Sequence, residues 1–123
     1  MKPSNHLKNA KNNLEKSSLI ADDEFLFNAS AQLAKESVQQ SLTAVNKKNI
    51  NKTKDQNSIL SLYRDAKPLI EININNHVLN KLAEEDFTES EDRILYREEV
   101  EEFLELADTV YKSVKEHFAD KKQ

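Results

Sequence analysis

The sequence predicts an all-α fold, an up-down bundle of four or five amphipathic helices. Apolar residues recur at spacings of three and four over most of the 123 residues, which is the helical period. The chain has no glycine, although tight two-residue hairpins favour it. No set of alternating strands accompanies these patterns. Because a chain of this length builds one hydrophobic core, we expect a single domain over residues 1–123.

The first two helices are predicted from their caps and apolar stripes. Ser4 is a good N-cap, so a first helix is expected from there to about Leu19. The acidic run 22–24 supplies an N-cap and the negative first turn that a helix dipole favours. The second helix should end near Asn46, with its polar side chains largely opposite its apolar ones. Its apolar stripe consists of Phe27, Ala31, Ala34, Val38, Leu42 and Val45.

The rest of the chain predicts two or three further helices. Residues 47–57 are polar and aperiodic and are expected to form an exposed loop. A third helix over 59–66 should end before Pro68, because proline disfavours helical geometry in the preceding residue. Residues 71–75 alternate like a strand, but we expect a short helix from Pro68 and another over 77–84. Thr88 and Glu91 have capping-box spacing, which predicts a last helix from there to about Ala119.

The missing residue types exclude several classes of site. P-loops and Rossmann loops need glycine to approach a phosphate closely, and the chain has none. Without cysteine it has no disulfide, thiolate-bound zinc, iron–sulfur cluster or cysteine nucleophile. Asparagine, which tolerates positive φ, is expected to replace glycine at helix boundaries. The asparagines in question are Asn28, Asn46, Asn49, Asn51, Asn75 and Asn76.

Charge is distributed unevenly along the chain. Residues 1–62 carry nine Lys or Arg and six Asp or Glu, whereas residues 63–123 carry nine and sixteen. This polarity is typical of solvated helix faces, or it orients a charged partner. No apolar run approaches the roughly 18 residues of a membrane span, and no secretory signal pattern opens the sequence. We therefore expect a soluble cytoplasmic protein without membrane contact.

The titratable residues do not form a catalytic or metal-binding pattern. His6, His77 and His117 are scattered, and no Glu-x-x-His is present, so neither metal nor cofactor is predicted. The paired carboxylates Glu98-Glu99 and Glu101-Glu102 are interpreted as solvated surface. No serine has an adjacent base or elbow motif, so we predict no catalytic residue.

Two short motifs supply the candidate binding residues, Tyr63, Arg64 and Arg97. Tyr63-Arg64-Asp65 and Tyr96-Arg97-Glu98 each place an aromatic beside a guanidinium, a pair that recognises phosphates or bases. The alternative is that both tyrosines are core-edge residues and both arginines pair with acids, Asp65 or Glu101. The four lysines in the loop, Lys47, Lys48, Lys52 and Lys54, either contact a nucleic-acid backbone or are solvated.

The order of elements resembles the HEPN domain, a small helical bundle. The similarity is carried by residues 6–14, by the segment 28–42, in which small residues precede Glu36 and an apolar stripe, and by the closing helix 96–114. The resemblance implies four or five helices, frequent homodimers, and a nucleotidyltransferase-like partner chain in toxin–antitoxin systems. Many relatives are ribonucleases that use an Arg followed four to six residues later by a His.

The sequence departs from that ribonuclease motif. The nearest histidine after Arg64 is His77, and the nearest after Arg97 is His117, so no general base for RNA cleavage is evident. We therefore predict a non-catalytic HEPN-like module that binds a nucleotide, RNA or a nucleotidyltransferase-like partner, and forms a homodimer. One alternative is a divergent ribonuclease toxin in which His77 meets Arg64 or Arg97. Another is a structural interaction bundle.

Overall fold

The computed structural model describes residues 3–46, 58–85, 87 and 95–121. These form five α-helices and a short 3-10 helix, Glu24–Leu26. No strand occurs in the described ranges, so the all-α prediction is confirmed. The α-helices are α1 (Pro3–Ile20), α2 (Phe27–Val45), α3 (Ile59–Ala66), α4 (Asn76–Glu84) and α5 (Arg97–Lys121).

The first two helices form an antiparallel hairpin joined by small polar side chains. The hydroxyl of Ser17 donates to the backbone carbonyl of Ser30 at 2.7 Å, and that of Ser30 donates to the carbonyl of Ser17 at 3.0 Å. Further along, the Ser37 hydroxyl donates to the carbonyl of Ala10 at 2.8 Å. All three serines are fully buried. Because serine is small, the two helices approach closely while every one of these hydroxyls keeps a partner.

The other helices surround α2. The start of α5 lies beside the start of α2, and the two pack along their length, so they run in the same direction. Helix α4 runs antiparallel to α5, since Val78 and Leu106 line the same cavity and Lys81 forms an ion pair with Glu99 at 3.1 Å. Helix α3 is attached at the far end of α2, where the Asn46 side chain donates to the Leu62 carbonyl at 2.8 Å.

Helix α2 is the centre of the core. Its whole predicted stripe, from Phe27 to Val45, is buried, and α5 packs Phe103, Val110 and Val114 against the cluster. The polar side of α2 is half-buried as well, which the sequence did not predict. The Lys35 ammonium, for example, donates to the carbonyl of Glu85 at 2.6 Å and to that of Ala83 at 3.4 Å, where it holds the end of α4.

Two predicted helix boundaries were wrong. Helix α1 begins at Pro3, one residue before the predicted cap Ser4, because proline suits the first turn of a helix. Helix α5 begins at Arg97, and residues 95 and 96 are not helical. Its start is stabilised by the Glu99 carboxylate, which accepts the N–H of Tyr96 at 3.2 Å. The predicted capping box of Thr88 and Glu91 lies outside the described residues, as does the predicted loop 47–57.

The connection between α3 and α4 also differs from the prediction. Helix α3 ends before Pro68 as expected, but no helix continues from there: residues 67–70 form a turn and residues 71–75 have no regular secondary structure. Helix α4 then forms close to its predicted position. Asn75 caps it through its side chain, which accepts the N–H groups of His77 and Val78.

The asparagines at helix boundaries do not replace glycine in the way predicted. No described residue has a positive φ. Asn46 ends α2 at φ −89°, Asn75 acts by side-chain capping, and Asn28 lies inside α2. Asn49 and Asn51 fall outside the described part of the chain.

None of the described helices is both long and apolar enough to cross a bilayer.

Candidate functional site

Large apolar side chains are exposed at the end of the bundle where α1 turns into α2. Phe25 is 91% exposed, Leu19 83% and Tyr96 66%, with Leu26 at 38%. We call Leu19, Phe25, Leu26 and Tyr96 the end patch. Scattered exposed apolar residues are ordinary, but four of them at one end of the bundle, two of them aromatic, are typical of a binding surface.

The local sequence explains why Phe25 faces solvent. The Asp23 carboxylate accepts the Phe25 N–H at 2.9 Å and so starts the 3-10 helix. The next large side chain, Phe27, opens α2 and is only 7% exposed. Phe25, Leu26 and Phe27 are consecutive, and a helical backbone turns by about 100° per residue, so these three side chains cannot share one face. Only Phe27 enters the core.

Arg97, a predicted binding residue, links the start of α5, next to Tyr96, to the turn that carries Phe25. Its guanidinium lies 3.3 Å from the Asp22 carboxylate and donates to the Asp22 carbonyl at 3.4 Å. The same group stacks on the Phe27 ring at 5.6 Å. Arg97 therefore pairs with Asp22 and not with Glu101, and it fixes Tyr96 next to the turn that carries Phe25.

Acidic side chains border the end patch. Asp22, Asp23, Glu24 and Glu98 are all exposed beside it, and the neighbouring cation Arg97 is paired with Asp22. In the described residues, no other Lys or Arg forms an ion pair with these four acids. The surface is consequently apolar in the middle and negative at its edge.

Tyr63 and Arg64, the other predicted binding residues, lie elsewhere. They belong to α3, at the far end of α2, which spans roughly 28 Å over its 19 residues. The Arg64 side chain is 78% exposed and is only 3.9 Å from Asp65. Tyr63 is partly buried against the core, and the Lys67 ammonium lies 6.0 Å from its ring centroid. The fold therefore does not bring Arg64 and Arg97 into one cluster.

His77 is exposed in the first turn of α4, and within the described residues no hydrogen bond joins its imidazole to Arg64 or Arg97. His6 Nδ1 lies 2.7 Å from Gln40 Oε1, between α1 and α2. No group of three metal-ligating side chains occurs in the part of the chain that the structure describes. The loop lysines 47, 48, 52 and 54 lie outside it.

Sequence reasoning did not identify the end patch, although a signal was present. Three consecutive large apolar residues, 25–27, follow an acidic cap, and one helix face cannot bury all of them.

Family models, curated proteins and solved structures were each compared with the chain, and none matches it.

Proposed function

We propose that this chain is a non-catalytic protein-binding module that docks a partner through the end patch. The observation that carries the proposal is the exposure of Phe25, Leu19 and Tyr96 at one end of an otherwise well-buried core. Aromatic residues of this kind are common anchors of interfaces. The described residues contain no nucleophile, base and orienting group in mutual contact.

The charge around the end patch selects the kind of partner. In a symmetric dimer the same patch faces itself, so Asp23, Glu24 and Glu98 would meet their own copies, and like charges oppose such a contact. A head-to-tail contact with the basic first half of another copy would build a ring or an open filament and not a dimer. The best-fitting occupant is therefore another protein, with an apolar segment flanked by Lys or Arg. This choice replaces the expected homodimer as our leading proposal.

The predicted family adds a candidate for that partner. A HEPN-like module commonly works beside a nucleotidyltransferase-like chain, and we propose such a chain as the first partner to try. This proposal rests on the sequence resemblance of segments 6–14, 28–42 and 96–114 alone.

Photo-cross-linking in cells tests the docking proposal. A photoreactive phenylalanine at position 25 should give one defined adduct with another protein, whereas the same group at Leu60, in α3, should not. The Leu19→Ser/Tyr96→Ser variant should reduce the adduct at least tenfold, because it removes two apolar anchors. Equal yields from positions 25 and 60 would overturn the proposal, and an adduct between two copies of this chain would restore the homodimer.

A second candidate function is nucleotide binding at α3. The observation that favours it is the exposed Arg64 guanidinium beside Tyr63 and Lys67, which together present two cations and an aromatic ring. Titration with a fluorescent ATP analogue should then give binding that Arg64→Ala removes and Arg97→Ala leaves unchanged. Absence of binding, or equal loss in both variants, would contradict it.

A further inference from the structure

Tyr96, the end-patch residue that precedes α5, is held by the first turn of that helix. Its carbonyl accepts the N–H groups of Glu99 at 3.0 Å and of Val100 at 3.2 Å. Its own N–H donates to the Glu99 carboxylate at 3.2 Å, as a glutamate in the first turn of a helix commonly allows. Because the Tyr96 side chain is largely exposed, its place in the end patch is set largely by this backbone cap.

The same carboxylate reaches α4. Its second oxygen lies 3.1 Å from the Lys81 ammonium, and the Glu99 side chain is only 16% exposed. Lys81 belongs to the last turn of α4. Ion pairs that are partly shielded from water are screened less than exposed ones. One side chain therefore joins the start of α5, where the end patch has its tyrosine, to the end of α4.

Helix α2 holds the same end of α4. The Lys35 ammonium donates to the carbonyls of Ala83 and Glu85, at the end of this helix. The last turn of α4 is thus attached to α2 through one lysine and to α5 through another. A displacement of this turn would therefore act on the carboxylate that caps Tyr96.

We propose that Glu99 is a positioning residue of the end patch and that Lys81 makes the position of Tyr96 depend on the docking of α4. With α4 docked, the carboxylate is held between the Lys81 ammonium and the Tyr96 N–H. When the last turn of α4 opens locally, the carboxylate loses one of these anchors and Tyr96 is held less firmly. By linkage, a partner that binds the ordered patch also stabilises docked α4. This inference rests on the function proposed for the end patch, since it concerns the regulation of that surface.

Exchange of the Tyr96 amide proton with water, followed by NMR on the protein alone, tests the positioning. Lys81→Met removes the ammonium but keeps the length of the side chain, so the exchange rate should rise about threefold. Glu99→Gln keeps an acceptor oxygen for the Tyr96 N–H but loses the ion pair, and it should give a similar rise. Lys112→Met, which breaks the pair with Asp108 at 2.9 Å on the same helix, is the matched control and should leave the rate unchanged.

A double variant separates this pair from a general loss of stability. If Lys81 acts through Glu99, Lys81→Met/Glu99→Gln should exchange no faster at Tyr96 than either single variant, whereas independent effects would multiply to about ninefold. Lys35→Met, which releases the same end of α4 from α2, should also raise the Tyr96 rate. An unchanged rate in Lys81→Met or in Lys35→Met, or the ninefold rise in the double variant, would overturn the inference.

The effect on binding is measured in cells with the photoreactive phenylalanine at position 25. The yield of the adduct with another protein should fall about threefold in Lys81→Met and stay unchanged in Lys112→Met. An adduct yield that Lys81→Met does not change would contradict the regulation alone and leave the end patch as the docking surface. Absence of a defined adduct without either substitution would instead refute the proposed function, and with it the regulation of binding.

Discussion

Phe25 and Phe27 are two residues apart and belong to two very different regions. Phe27 opens the buried stripe of α2, whereas Phe25 stands in solvent within the end patch. In the buried region every large side chain has neighbours and the hydroxyls of Ser17, Ser30 and Ser37 are hydrogen-bonded. In the end patch, apolar surface is left uncovered. The difference teaches that the fold does not depend on the exposed side chains, so the proposed binding and the fold are separable by mutation.

The largest effect is expected from Phe103→Ala in the core. Phe103 is buried and makes an edge contact with Phe87, with ring centroids 5.6 Å apart. Its truncation leaves a cavity and should lower the free energy of unfolding by about 3–5 kcal/mol. Urea denaturation measures this, with Phe25→Ala as the control at less than about 0.5 kcal/mol. Similar losses in both variants would mean that Phe25 is not solvent-exposed.

A smaller loss is expected where α1 and α2 pack through serine. Ser37→Leu places a large side chain against Ala10 and removes a buried hydrogen bond, so it should cost about 1–3 kcal/mol. Ser18→Leu, on the exposed face of α1, should cost almost nothing. Comparison of the two denaturation midpoints checks the close approach of the helices, and equal midpoints would contradict it.

Lys35→Met should destabilise the chain by about 1 kcal/mol. The substitution keeps the side-chain length but removes the ammonium that donates to the carbonyls of Ala83 and Glu85. A hydrogen bond contributes about this much to stability. Lys8→Met, at an exposed position of α1, is the control. Hydrogen exchange should show faster opening of α4 in Lys35→Met alone, and unchanged protection of α4 would count against this tether.

The smallest effect on stability is expected at the end patch itself. Arg97→Ala removes the exposed pair with Asp22 and the stacking on Phe27, which should cost less than about 1 kcal/mol. High salt should reduce the difference from wild type, because exposed ion pairs are screened. A loss above about 2 kcal/mol in thermal unfolding would show that Arg97 is mainly a structural residue.

Much of the helical fold was predictable, because it depends on local patterns. The stripe from Phe27 to Val45, the break before Pro68 and the position of α4 all follow from spacing and from proline or asparagine chemistry. The run 71–75 alternates in sequence as a strand does, but we expected a helix there because no second strand was evident. In the structure the run has no regular secondary structure, and Ile72 and Ile74 pack against the core. Such tertiary contacts are not visible in a local pattern.

The candidate surfaces were harder to predict, since they depend on what the fold leaves uncovered. The pair Tyr63-Arg64 resembles the local sequence around Arg97. In the structure, however, the length of α2 separates Arg64 from Arg97. The partner of Arg97 is Asp22, 75 residues away in the chain, and sequence spacing gave no indication of this pair. The run 25–27 indicates that at least one of its three large side chains is exposed. It points to Phe25 only when it is known that Phe27 faces the core.

The central claim is that the end patch binds a partner and does not stabilise the fold. The most direct test is a calorimetric titration of this chain with the partner protein that is captured by cross-linking from position 25. The titration compares the variant Phe25→Ser with Leu69→Ser, because Leu69 is an exposed leucine in the turn after α3. The account predicts at least a tenfold weaker affinity for Phe25→Ser, an unchanged affinity for Leu69→Ser, and the same unfolding midpoint for both. Equal affinities in the two variants, or unfolding of Phe25→Ser, would contradict it.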